Sequence, residues 1–136
     1  MKIYEIVIID SKNRLLIPSK IRDLLGIREG MALMLIADPE TREIKIIPLA
    51  DAQANVYQII ITMEDKPGAL ARVAQVLARY DIDLLSTESR TIRRGDTAVW
   101  TIIADLGKQE KMLDKLAEDL RNQPIVKNVE IVKIRR

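Results

Sequence analysis

Four cations lie along the segment from residue 10 to residue 27, and their spacing indicates a surface that binds anions. Lys12 and Arg14 fall in a predicted turn, and Lys20 and Arg22 fall at the start of a short predicted helix. Leucine and isoleucine residues between them would hold the turn and the helix on an apolar frame. Because cations on a rigid frame suit the phosphate backbone of duplex DNA, we expect these four side chains to contact DNA, mainly through its phosphates and its shape.

A purely structural explanation of the same arginines stays open. Arg14 and Arg22 could instead pair with Asp10, Asp23 or Glu29 and brace a dimer of the chain, since exposed charges are often only solvated or paired. The net charge of the chain is only +2, so a DNA-binding surface would have to be a local patch. The two explanations predict different partners for the same guanidinium groups.

A second candidate site follows a predicted strand, in the sequence Glu-Asp-Lys-Pro-Gly-Ala-Leu that begins at residue 64. Pro67 stiffens the turn, and Gly68 allows the backbone to approach a ligand. The helix that follows would present the N–H groups of Ala69 and Leu70 to a carboxylate. Asp65 could accept hydrogen bonds from an ammonium group. The alternative is that this segment is only a favourable strand-to-helix connection.

Composition excludes several classes of site. The chain has neither histidine nor cysteine, which removes disulfides, thiol nucleophiles, serine–histidine triads and nearly all zinc sites. It also lacks a P-loop, a dinucleotide-binding fingerprint and paired catalytic carboxylates. We therefore expect no enzyme activity, no cofactor and no metal. The lack of a signal peptide, of a membrane-length apolar segment and of cysteine favours a cytoplasmic protein that binds no membrane.

The elements that would carry the four cations are short. Ser19 would cap the helix and Gly26 would end it, and Asn13 suits the turn before it. So little structure buries little apolar surface, and we expect a second copy of the chain to cover it. The predicted strands cover residues 3–9, 15–17, 32–37 and 42–47, and the helix covers residues 20–25.

A small polar linker at residues 50–55 separates this part from the rest of the chain. After it, the predicted order is strand, helix, strand, strand, helix, strand, which is typical of the α+β ferredoxin-like fold, βαββαβ. These six elements cover residues 56–63, 68–80, 82–93, 97–105, 109–121 and 125–134. Periodicity predicts these inward residues: Tyr57, Ile59, Ile61, Met63, Leu70, Val73, Ala74, Leu77, Ala98, Trp100, Ile102, Ala104, Met112, Leu113, Leu116, Ala117 and Leu120.

Residues 1–49 resemble the AbrB-type (SpoVT-like) swapped-hairpin DNA-binding domain. The resemblance implies a β-rich dimer in which two chains interleave their hairpins, with Arg14 and Arg22 facing DNA. Val7 and Ile8 stand where many DNA-binding members carry a basic pair, and Asp23 stands where a second basic residue is common. The residues that carry the resemblance are Asp10, then Arg14-Leu15-Leu16-Ile17-Pro18, then Arg22, then Leu25-Gly26-Ile27.

Residues 56–136 resemble an ACT domain, a regulatory module for small ligands that is found on many enzymes of amino-acid metabolism and on some transcription factors. The resemblance rests on residues 64–70, on Ala71-Arg72-Val73 and on Ile82-Asp83-Leu84. It implies a ligand held at an interface between two domains, although some such domains bind nothing and only associate. Asp83 stands where asparagine is frequent, and would favour an ammonium group. The implied ligand site is Asp65, Lys66, Pro67, Gly68, Ala69 and Leu70 of one domain with Ile82, Asp83 and Leu84 of its partner.

These features predict a transcriptional regulator, a homodimer or a higher oligomer, that binds double-stranded DNA and responds to an amino acid. The alternative is an oligomeric regulatory or assembly subunit of a metabolic enzyme that does not bind DNA. An antitoxin is less favoured, because such proteins usually pair this DNA-binding domain with a disordered tail. Arg90, Arg93 and Arg94 could extend a nucleic-acid surface, and Arg135 and Arg136 would form a basic tail.

Overall fold

The computed structural model describes residues 1–134 of the chain, so the predicted tail at Arg135 and Arg136 lies outside the described residues. The chain divides into two compact units, Met1–Ala52 and Gln53–Arg136, and the division falls within the predicted linker. In chain order the elements are α1 Ser19–Leu25, β1 Ala32–Asp38, β2 Glu43–Ala50, β3 Val56–Glu64, α2 Ala69–Ala78, β4 Asp83–Arg93, β5 Thr97–Asp105, a 3₁₀ helix Gly107–Met112, α3 Leu113–Arg121 and β6 Val126–Lys133.

The N-terminal unit contains one two-stranded antiparallel sheet, β1 with β2, and the helix α1. The helix ends at Gly26 as predicted, with φ of +70°. Its start differs from the prediction: Ser19 is already helical, and Pro18 takes the N-cap position without a capping side chain. Proline suits that position because its fixed φ is compatible with the first turn and it has no N–H to leave unpaired.

The strands predicted at residues 3–9 and 15–17 are absent from the single chain, where both segments are without regular structure. Only the turn between them is closed: the Asp10 N–H donates to the Arg14 carbonyl at 2.9 Å, and the Asn13 N–H donates to the Asp10 carbonyl at 3.0 Å. A strand needs a neighbour for its backbone groups, and this unit supplies none to either segment. The interleaved hairpins implied by the sequence require a second copy and stay a prediction.

Burial in the N-terminal unit is slight. Ile27, with 8% exposure, is the one buried side chain of residues 1–52. By contrast Tyr4, Ile6 and Ile8 are each at least 87% exposed, and Leu16 is 74% exposed. A stable domain rarely leaves so many apolar side chains exposed to water. The unit therefore lacks a core of its own within one chain.

The C-terminal unit is a four-stranded antiparallel sheet in the order β4-β5-β3-β6, with α2 and α3 packed on the face that carries the core. This confirms the predicted ferredoxin-like βαββαβ fold. The chain enters and leaves the unit on adjacent strands, because the Ile134 N–H donates to the Val56 carbonyl at 2.9 Å. No helix among the described residues is long and apolar enough to cross a membrane.

The core of this unit follows the predicted alternation, with two corrections. Leu70 is 42% exposed, because α2 begins at Ala69 and directs residues 69, 73, 76 and 77 inward instead. The helix predicted over residues 109–121 is a 3₁₀ helix up to Met112, where the Gln109 N–H donates to the Leu106 carbonyl at 2.7 Å. The largest of the fully buried side chains are Ile59, Ile61, Met63, Val73, Val76, Ile102, Leu106, Leu116 and Leu120.

Candidate functional site

The loop between β3 and α2 is shaped by its backbone. Gly68 occupies the N-cap position of α2 with φ of +85°, a backbone conformation that residues with a side chain rarely adopt. The Ala69 N–H donates to the Lys66 carbonyl at 3.1 Å, and the Arg72 N–H donates to the Gly68 carbonyl at 3.1 Å. Ala69 therefore does not present the free N–H that the sequence suggested. The amides of Leu70 and Ala71 precede the first helical hydrogen bond and are the ones suited to an anion.

This loop is tied to the turn between β4 and β5. The Asp65 carboxylate accepts the Gly95 N–H at 2.7 Å, and the Asp65 N–H donates to the Asp96 carbonyl at 3.1 Å. Lys127 on β6 secures the same turn, because its Nζ donates to the Asp96 carbonyl at 3.0 Å and to the Thr97 hydroxyl at 2.8 Å. The Thr97 hydroxyl, and then Lys127, lower the pKa of Asp96. We call these contacts of Asp65, Gly95, Asp96, Thr97 and Lys127 the loop–hairpin contact.

A cavity of about 180 Å³ opens beside this loop. At about 30 Å³ per water molecule, it has room for roughly six waters, or for one small metabolite. The loop and the start of α2 form one wall, and β4 with β5 forms the other. The residues that bear on its chemistry are Glu64, Asp65, Lys66, Ala69 and Leu70 on the first wall and Ser89, Arg90, Thr91, Ala98 and Trp100 on the second.

Charges of both signs line the first wall. Lys66 Nζ lies 3.2 Å from Glu64 Oε2, so these two groups largely neutralise each other. Asp65 accepts one backbone N–H, and a carboxylate has further acceptor capacity. The wall can therefore hold an ammonium group near Asp65 and a carboxylate near the amide of Leu70, which suits an amino acid.

The structure brings together four of the predicted ligand residues and leaves the others apart. Asp65, Lys66, Ala69 and Leu70 line the cavity, whereas Pro67 and Gly68 shape the loop. The predicted second half of the site, Ile82, Asp83 and Leu84, does not line it: Asp83 and Leu84 begin β4, opposite Asp105 and Ala104 at the far end of β5. In one chain they cannot complete this site, and their role across an interface stays a prediction.

Sequence reasoning missed the contribution of β4. Ser89 pairs with Trp100 and Thr91 pairs with Ala98, so both hydroxyl residues share the face of the sheet that carries those inward residues. The predicted hairpin over residues 82–105 contained this signal, because a tight turn at residues 94–96 fixes the register of its two strands. Trp100 is buried, with 7% exposure, and also lines the cavity.

The predicted DNA-contacting cations of the N-terminal unit differ in their surroundings. Arg14 Nε donates to Asp10 Oδ2 at 2.9 Å, which is one of the pairings that the structural alternative proposed. Arg22 pairs with neither Asp23 nor Glu29; its guanidinium donates to the Ile17 carbonyl and holds α1 against the preceding segment. The side chains of Lys12 and Lys20 are exposed. The four cations therefore lie on one turn and one helix start, with two of them already in contact with this chain.

Comparison with known proteins identifies part of the chain. The ACT domain family matches residues 57–121. The ACT domain of a GTP pyrophosphokinase from Chlorobium tepidum is 20% identical with a TM-score of 0.50, and the match covers 58% of this chain and 99% of that domain. The C-terminal domain of the MgtC protein from Mycobacterium tuberculosis is 19% identical with a TM-score of 0.50, over 62% of this chain and 92% of that domain. At these identities the two structures show a shared fold. No curated protein matches the chain.

Proposed function

Because residues 57–121 form an ACT domain, we propose that the chain is a regulator that binds an amino acid in its C-terminal unit and double-stranded DNA with its N-terminal unit. The observation that carries the first half is the cavity beside the β3–α2 loop. Its first wall offers the Asp65 carboxylate as an acceptor for an ammonium group and the Leu70 amide as a donor to a carboxylate, the two groups that every amino acid has. A homodimer or a higher oligomer is part of the proposal.

The second half of the proposal rests on the N-terminal unit. Its exposed apolar side chains call for a second copy, and two copies would present two sets of the cations Lys12, Arg14, Lys20 and Arg22. The resemblance to AbrB-type domains supports the same arrangement. A paired set of cations is the kind of surface that binds the backbone of duplex DNA.

Ligand binding would act on DNA binding through linkage. An amino acid bound to the C-terminal unit can shift the chain between two conformations only to the extent that its affinities for those two conformations differ. By reciprocity, DNA would change the affinity for the amino acid by the same factor. A ligand effect on DNA affinity therefore has to be matched by a DNA effect on ligand affinity.

A thermal-shift screen of the twenty amino acids tests the ligand half. A ligand bound only by the folded chain at about one hundred times its Kd adds about 2.7 kcal/mol of stability, which raises the unfolding midpoint. Gly68→Ala strains the loop at φ of +85° and should abolish the shift, whereas Gly107→Ala makes the same kind of change at φ of +51° away from the cavity and should retain it. No shift with any amino acid at millimolar concentration would contradict the proposed ligand binding.

Salt-dependent binding to duplex DNA tests the other half. Phosphate contacts make affinity fall steeply between about 50 and 200 mM salt. Lys20→Ala removes one exposed cation and should reduce the slope of log affinity against log salt by about 1. Lys133→Ala, a change of the same charge in the C-terminal unit, should leave that slope unchanged. Absence of any affinity for duplex DNA at low salt would contradict the DNA-binding half.

The second candidate function is a regulatory or assembly subunit that does not bind DNA. The contacts of Arg14 with Asp10 and of Arg22 with the Ile17 carbonyl favour it, because both guanidinium groups already have partners in the chain. In that case the N-terminal unit would serve only to associate copies. The salt titration separates the two functions, since only a DNA-binding regulator gives a slope.

A further inference from the structure

We infer that Asp10 is a positioning residue, which fixes the guanidinium of Arg14 so that its two terminal nitrogens stay available to a pair of acceptor atoms on duplex DNA. This inference rests on the proposed DNA binding. It gives the contact between Asp10 and Arg14 a role other than bracing the surface. Asp10 itself would touch no DNA.

Both oxygens of the Asp10 carboxylate contribute to this contact. Oδ1 accepts the N–H of Lys12 at 2.8 Å and the N–H of Arg14 at 2.9 Å. Oδ2 accepts Arg14 Nε at 2.9 Å. The same carboxylate thus holds the backbone and the side chain of one arginine. Asn13, at φ of +61°, completes the turn between them.

The contact with Asp10 leaves the two terminal nitrogens of Arg14 available to another partner. A guanidinium has five N–H donors in a planar fork, and the contact with Asp10 occupies the one on Nε. Within residues 1–134 no hydrogen bond or ion pair engages the terminal nitrogens of Arg14, and its side chain is 69% exposed. Two adjacent donors fit two adjacent acceptors, such as two phosphate oxygens or O6 and N7 of guanine.

The pKa of Asp10 agrees with a carboxylate that stays charged. The hydrogen bond from the Arg14 backbone N–H is the largest cause that lowers it, and those from Lys12 and from the Arg14 side chain act in the same direction. The carboxylate is therefore ionised throughout the neutral range. Arg22 differs, because its contact is with a main-chain carbonyl and is partly buried.

Charge alone and positioning predict opposite effects of removing this carboxylate. A negative charge beside DNA repels phosphates, so its loss should strengthen binding if charge is all that matters. If Asp10 positions Arg14, its loss should weaken binding, because a mobile arginine side chain must be ordered when DNA binds. The sign of the change decides between the two.

The test measures the affinity of the chain, residues 1–136, for a fluorescently labelled, mixed-sequence DNA duplex by anisotropy, between about 50 and 200 mM salt. Asp10→Asn keeps an acceptor for the backbone N–H groups and removes the charge. We expect it to weaken binding to within about threefold of Arg14→Ala, since the two residues act as a unit. In the Arg14→Ala background the same substitution should instead strengthen binding.

Two further variants keep the inference testable if Asp10→Asn disturbs the turn. Asp38→Asn is the matched control: Asp38 accepts the Glu40 N–H at 3.0 Å in another turn of the same unit, and its loss should strengthen binding slightly. Arg14→Lys keeps the charge without the planar fork, and should bind almost as weakly as Arg14→Ala. A phosphate partner lowers the salt slope by about 1 in Arg14→Ala, whereas a guanine partner relaxes sequence preference at one position.

The inference is overturned if Asp10→Asn binds DNA as tightly as the unchanged chain or more tightly, or if Arg14→Lys retains full affinity. Failure of the unchanged chain to bind DNA at low salt would instead remove the proposed function on which the inference rests. The two failures are distinguishable, because only the first occurs with a measurable affinity for the unchanged chain.

Discussion

At the scale of single residues, two tyrosines of the C-terminal unit have hydroxyl groups directed at carboxylates. The Tyr57 hydroxyl donates to Glu110 Oε2 at 2.7 Å, and the Tyr80 hydroxyl donates to Asp119. Burial, and then the hydrogen bond to the carboxylate, raises the pKa of each tyrosine to about 12. The folded unit therefore keeps both phenols neutral at pH values just above 10, where a free tyrosine, with a pKa of about 10, would ionise.

The raised pKa values predict a loss of stability at high pH. Because these pKa values are higher in the folded state, the stabilisation is complete below about pH 10 and is lost as pH rises toward about 12. Phenolate absorbance should show both tyrosines ionising near pH 12, and Tyr80→Phe should remove one of these steps. Ionisation of both near pH 10 in the folded chain would show that the two hydroxyl groups are exposed to solvent.

At the scale of elements, the loop–hairpin contact predicts that Lys127 controls the mobility of the loop between β3 and α2. Lys127→Met should increase hydrogen exchange at the Gly95 amide, whose N–H donates to the Asp65 carboxylate. The unfolding midpoint should change little, because an exposed ion pair such as that of Lys127 with Asp96 contributes about 0–1 kcal/mol. Lys133→Met is the control, since Lys133 lies on the same strand as Lys127 but pairs with Glu110 of the 3₁₀ helix, away from the loop. Equal exchange at Gly95 in both variants would contradict the prediction.

The elements also show what sequence can predict. The order βαββαβ was accessible because β3 and β5 alternate strictly, so Ile59, Ile61 and Ile102 fall on one face and are fully buried. The sequence does not predict that the last helix starts as a 3₁₀ helix. Residues 107–112 have a helical pattern, and local backbone geometry at Gly107 decides the form of the first turn. Residues 3–9 have the composition of a strand and no neighbour in one chain.

The candidate site was predictable to a similar degree. The loop residues Asp65 and Lys66 were found because turn chemistry is local in sequence. Ser89 and Thr91 were missed because their place beside the cavity depends on strand register, which is a tertiary property. The partner of Arg22 was missed for a different reason: it lies only five residues away, but a main-chain carbonyl has no signature in the sequence.

At the scale of the whole molecule, the exposed apolar surface predicts that residues 3–9 are ordered by a second copy. Their backbone amides should exchange slowly when copies associate, and faster on dilution, because the single chain offers them no ladder. Leu16→Lys places a charge on a side chain that is 74% exposed in one chain and should abolish this protection. An exposed site that stays in water would tolerate the change.

Thr41→Lys in the β1–β2 turn is the matched control, because it adds the same charge to the same unit at a position that we expect to remain in solvent. It should leave the protection of residues 3–9 intact. Free exchange of those residues at every protein concentration would contradict association through this unit.

The adjacent first and last strands of the C-terminal unit have a consequence for engineering and for gene fusion. Val56 and Ile134 are joined by a backbone hydrogen bond, and the loop between β3 and α2 lies at the other end of β3, roughly 26 Å away at about 3.3 Å per residue. A segment whose ends meet at one point can be spliced into a surface loop of an unrelated protein without stretching its host. We therefore expect residues 53–134 to tolerate insertion into another protein, with the cavity facing away from the graft.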